Sequence, residues 1–138
     1  MAPVTLDNSD WEFAALYTKP KYKERVARDY VPYMESVIEF FEQRSVEVVG
    51  REFPQVLLIH ASQLNADLMP ELLQMFRRRG YAFVSLDRAL ADEAYGLPEE
   101  YAGRGGFSWI HRWSKTKGMP PKGEPEPAAW VRDAGAGR

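Results

Sequence analysis

Gln55-Val56-Leu57-Leu58-Ile59-His60 decides how the chain reads: it is a short apolar run that ends on a titratable side chain. A run of that length suits a strand, and a strand that delivers a polar group at its carboxyl end is how a parallel barrel furnishes an active-site rim. Downstream, Asn65 and Asp67 are good helix N-caps, and Pro70 suits a first helical turn. Leu68, Leu72, Leu73, Met75 and Phe76 then repeat at helical spacing. This predicts a helix over Asp67 to Arg79, closed by Gly80, and a second strand over Tyr81 to Leu86. Asp87 is placed to cap a short helix reaching Ala91. Strand, helix and strand with short connections make a βαβ unit, whose strands should be parallel and joined by a right-handed crossover. Leu57–Ile59 and Phe83–Ser85 read as strands covered on both faces.

Upstream, Pro3-Val4-Thr5-Leu6 suits a short strand, and Asp7-Asn8-Ser9-Asp10 a turn or cap. Trp11 to Tyr17 has apolar residues at helical spacing, interrupted by Lys19-Pro20-Lys21. The clearest helix runs from Lys23 to Arg44. Val26, Tyr30, Tyr33, Met34, Val37, Ile38 and Phe41 form one buried stripe in it, and Pro32 is expected to kink or split it. The expected architecture is therefore α/β with parallel strands, either part of a (β/α) barrel or a small layered sheet. From about Gly96 the composition shifts, and Phe107-Ser108-Trp109-Ile110-His111-Arg112-Trp113 is rich in aromatic residues. Residues 118–138, rich in proline and glycine, are expected to be extended or disordered.

At 138 residues, 45% hydrophobic and 28% charged, the chain has the composition of one globular domain. A net charge of -2 argues against a broad electrostatic footprint for nucleic acid or anionic lipid. Arg77-Arg78-Arg79 reads as the cationic last turn of a helix rather than as a binding patch. The absence of cysteine removes disulfides, thiolate zinc sites and thiol nucleophiles. No stretch reaches the ~18 apolar residues of a membrane span, and no signal peptide stands at the start.

With two histidines in the chain, His60 is an acid or base, a metal ligand with distant partners, or a structural residue. Asp7 follows one expected strand and His60 ends another, so in a barrel both would sit at the carboxyl ends of parallel strands. A carboxylate bonded to the imidazole would orient it for proton transfer. The competing reading is that Asp7 or Asp10 caps a helix and His60 is a buried, satisfied histidine. His111 reads as a hydrogen-bonded histidine in an aromatic lid in preference to a metal ligand. The spacing of Trp109 and Trp113 suits helical packing better than sugar stacking.

Asp7-Asn8-Ser9-Asp10-Trp11, then Leu57-Leu58-Ile59-His60, then the run Leu68 to Leu86 resemble, in this order, the carboxyl-terminal portion of a polysaccharide deacetylase of the NodB-homology family, carbohydrate esterase family 4. The match spans roughly Pro3 to Ala91. The resemblance implies a deformed (β/α) barrel that removes acetyl groups from sugar polymers with a divalent metal, commonly zinc. It implies His60 as the general acid, Asp10 as its orienting carboxylate with Asp7 nearby, Leu58 in the pocket for the acetyl methyl, and Trp11 in the groove wall. The family's Asp-Asp and His-x-x-x-His metal motifs are missing, so the resemblance implies no metal ligands in this chain.

On this reading residues 1–95 are the C-terminal half of a deacetylase domain, 96–117 an aromatic-rich extension and 118–138 a disordered tail. The expected partners are a sugar polymer or oligosaccharide, with no nucleic acid. A half-barrel's unpaired sheet edges would also favour self-association or pairing with an N-terminal half. Family members are often extracytoplasmic.

Overall fold

The computed structural model describes residues 2–103 and 105–137. Met1, Arg104 in the expected extension, and Arg138 at the end of the expected tail lie outside the described residues. The chain is helical: α1 (Asp10–Tyr17), α2 (Pro20–Val49), α3 (Gln63–Arg78), α4 (Leu86–Leu90), a 3-10 turn (Glu93–Gly96), α5 (Trp109–Thr116) and α6 (Ala129–Gly135). Among the described residues the strand-type pairing is one isolated parallel bridge, Leu6 with Leu57. The α/β class and the parallel (β/α) barrel, with its half-barrel edges, are therefore corrected: no sheet forms among the described residues.

The physical reason lies in the three runs read as strands. An apolar run can specify extended chain, but a ladder needs a partner of matching register. Pro3–Leu6 and Gln55–His60 meet only around that bridge, where the Thr5 and Leu6 N–H groups donate to the Val56 carbonyl at 3.0 Å and Leu58 N–H donates to Leu6 at 3.2 Å. Tyr81–Ser85 is extended and joins no ladder. Nor are the runs covered on both faces, since Leu58, Phe83 and Val84 are exposed.

The chain divides into two compact units. The first comprises the segment ending at Asp7, Val37–Leu58 and Phe83–Glu124. Its core holds Leu6, Ile38, Phe41, Phe53, Ile110 and Trp113. Phe53, Tyr95 and Trp113 pack edge to face, with centroids 5.6–5.9 Å apart. Ser108 caps α5, accepting from Ile110 N–H, and its own hydroxyl donates to the Thr5 carbonyl at 2.6 Å. The second unit comprises Asn8–Ser36, Ile59–Ala82 and the segment from Pro125 onward. In it α1 packs against α3 and α6. Phe13, Leu16, Tyr30, Met34, Leu64, Leu72, Met75 and Val131 are buried there.

Several boundaries differ from the expectation. α2 is one helix from Pro20 to Val49 and is not split at Pro32, where the missing N–H removes a single i→i−4 bond. All seven residues of its predicted stripe are buried, so packing of that face outweighs the lost bond. α3 begins at Gln63 rather than Asp67, because Ser62 is its N-cap and accepts from Asn65 N–H at 3.2 Å. Pro70 therefore lies inside α3. Ser85, not Asp87, caps α4. Gly80 ends α3 as expected, at φ +83°, and Tyr81 N–H returns to the Phe76 carbonyl. The stretch from residue 118, expected to be irregular, contains α6. Trp130 on that helix donates Nε1–H to Asp29 at 3.1 Å and lies under the Arg25 guanidinium at 4.2 Å.

Candidate functional site

The second unit brings His60 and Asp10 together. Ser9 occupies the N-cap position of α1 and offers no side-chain cap, so Asp10 is the first helical residue. Its carboxylate turns inward instead of capping, with 1% of the side chain exposed. Asp10 Oδ1 meets His60 Nδ1 at 2.6 Å. Oδ2 accepts from the His60 backbone N–H at 2.8 Å and from Asn65 Nδ2 at 2.7 Å. A buried carboxylate is costly unless its lone pairs are matched by donors, and here three donors converge on it. The reading of Asp10 as a helix cap is thereby excluded.

The network continues through Asn65. Its Nδ2 also donates to the His60 carbonyl at 2.8 Å, and its Oδ1 accepts the Tyr30 hydroxyl at 2.6 Å. Tyr30 and Asn65 are both buried. Burial pushes the Tyr30 phenol well above its ordinary range, so it acts here as a donor. Sequence reading had placed Tyr30 in the apolar stripe and Asn65 at a helix cap. Its one usable signal was an asparagine on the inward, apolar face of an amphipathic helix, where a buried amide demands partners.

The imidazole itself is half-exposed, at 52%. It lines an open cleft of about 560 Å³ with Ile59, Ser62, Gln63, Asn65 and Met69. With Nδ1 held by Asp10, the ring's other nitrogen, Nε2, is left for a ligand. Such an arrangement can fix the ring and pass a proton at a stated atom.

The other predicted residues are placed differently. Trp11 follows Asp10 on α1 and is 57% exposed, but it is not part of the cleft lining. Asp7 and Leu58 belong to the first unit, and Leu58 is exposed rather than enclosed in a pocket. His111, also in the first unit, contacts Glu124 Oε1 through Nε2 at 2.9 Å, among the rings of Phe40, Phe41 and Phe107. Among the described residues no three His, Asp or Glu side chains converge in a way that could hold a metal ion. The dyad therefore does not fit the role of a metal ligand set.

Comparison of the chain with protein-family models, with curated proteins and with solved structures gives no match.

Proposed function

We propose that this chain supplies the proton-donating part of a carbohydrate deacetylase site. His60 is the general acid that protonates the amine departing from an N-acetylated sugar, and Asp10 is the residue that positions its ring. The observation that carries this reading is the 2.6 Å contact between His60 Nδ1 and the buried Asp10 carboxylate at the edge of an open cleft. Asp10 cannot readily turn away, since its second oxygen is held by two further N–H groups. A positioned general acid contributes typically ~10²–10⁴ in rate. The resemblance of Asp7–Trp11 and Leu58–His60 to the deacetylase motifs supplies the substrate class.

The test is a titration of histidine-labelled protein with an N-acetylglucosamine tetramer, followed by NMR. The His60 ring resonances should shift saturably while those of His111 stay in place. Any acetate released in the presence of zinc should fall by about 10²–10⁴ in His60→Ala. An unresponsive His60 at saturating sugar, or undiminished release in the variant, refutes the reading.

One observation favours a second reading, a non-catalytic surface that pairs with another chain. Leu58, Phe83, Val84 and Leu86, all in the first unit, are 39–57% exposed. It predicts self-association that Phe83→Asp weakens. A strictly monomeric wild type in sedimentation removes it.

A further inference from the structure

The first unit holds its own cavity, independent of the His60 cleft. It encloses about 420 Å³ between α5 and the segment that follows it, within the size range of small-molecule pockets. At ~30 Å³ per water-sized group that is room for roughly a dozen non-hydrogen atoms. Its apolar wall is Phe107, Met119 and Pro121.

Cationic groups line it and adjoin it. Arg44 is buried, with 3% of its side chain exposed, and donates to Ser114 Oγ, which also lines the cavity, at 2.5 Å and to the Pro120 carbonyl at 3.1 Å. Arg44 and Lys122 share one carboxylate, Glu47, at 2.7 and 2.5 Å. Arg44 Nε is buried with no hydrogen-bond partner. Glu124 is engaged by His111 at 2.9 Å. Lys115, exposed at the cavity edge, lies 4.9 Å from the Tyr101 ring centroid and forms no ion pair among the described residues. Two of the side chains that line the cavity, Lys115 and Lys122, are cationic, and among the described residues that line it none is a carboxylate, on a chain whose overall charge is -2. A cationic lining beside an apolar hollow favours a ligand with an apolar body and one negative charge.

We propose that this cavity binds a small aromatic carboxylate, its ring against Phe107, Met119 and Pro121 and its carboxylate toward Lys115. The inference does not rest on the deacetylase reading.

The test uses the full chain with methyl-labelled methionine and two probes of nearly equal shape, 4-phenylbutyrate and the neutral 4-phenylbutanol. Both should shift the Met119 methyl and His111 resonances saturably and leave His60 in place. The acid should bind about two- to fivefold more tightly, the worth of one solvent-exposed ion pair. Lys115→Met should remove that preference and keep alcohol binding. Met119→Trp, which fills the hollow, should block both probes, with far-UV circular dichroism confirming that each variant is folded. Absence of a saturable shift, equal affinity for acid and alcohol in the wild type, or binding that survives Met119→Trp overturns the proposal.

Discussion

Asn65→Ala is the sharpest probe of the His60 site, because it changes the dyad's support without touching either member. In the native protein the Asn65 amide donates to Asp10 Oδ2 and to the His60 carbonyl, and it accepts the Tyr30 hydroxyl. Removing it strands a fully buried phenol, a loss of about 1–3 kcal/mol. It also takes one of three donors from a carboxylate that is 1% exposed, about 1.5–3 kcal/mol for a bond to a charged group. The expected loss is about 3–5 kcal/mol, a large part of the 5–15 kcal/mol typical of whole domains. Urea unfolding followed at 222 nm measures it, with the slope unchanged from wild type. The Tyr30→Phe background isolates the phenol. With no hydroxyl left to strand, Asn65→Ala should cost about 1–3 kcal/mol less than in the wild type. A total loss under 1 kcal/mol, or the same loss in both backgrounds, refutes the idea that Asn65 joins Tyr30 to the dyad.

Other expectations follow from single features. Burial pushes the Tyr95 phenol up to about 12, against an ordinary 10, while its hydroxyl donates to the Pro54 carbonyl at 2.7 Å. The native state therefore keeps this proton while the unfolded chain loses it, so stability should fall between about pH 10 and 12. Tyr95→Phe should flatten that fall in part, with Tyr17 and Tyr30, whose phenols are also pushed up, contributing to the remainder; an unchanged fall refutes the assignment to Tyr95. Arg51 hydrogen-bonded to Asp92 holds that carboxyl below its ordinary value. Its contribution should be present above about pH 4 and lost as pH falls through the native value, and a carbon-13 titration should show Asp92 moving upward in Arg51→Met. Gly80→Ala meets no neighbouring atom, yet the residue sits at φ +83°. It should cost about 1 kcal/mol by melting analysis, purely through backbone strain, and an unchanged melting temperature would falsify that account.

Much of the helical content was legible because it is local. The α2 stripe from Val26 to Phe41 and the α3 stripe from Leu68 to Phe76 show in the order of side chains alone. So does the stop at Gly80, where one residue must take a left-handed conformation. The start of α3 was misread because Ser62, Asn65 and Asp67 are all credible caps, and only the backbone path shows which of them accepts the orphan N–H. The strands were misread for a different reason. Gln55–His60 and Tyr81–Leu86 have strand composition, but β propensity describes fit to a pleated neighbour, and no neighbour extends the Leu6–Leu57 bridge into a ladder.

The site divides in the same way. That His60 is a group at the end of an apolar run, and that Asp10 is a carboxylate at the start of a helix, follows from the sequence by itself, since both are statements about adjacent residues. That Asp10 turns inward, takes His60 Nδ1 at 2.6 Å, and is braced by Asn65 and through it by Tyr30 was decided only by tertiary structure. Those bonds join residues 35 to 55 positions apart. A hydrogen bond needs its two atoms within about 3 Å, and no periodicity along the chain encodes a separation in space.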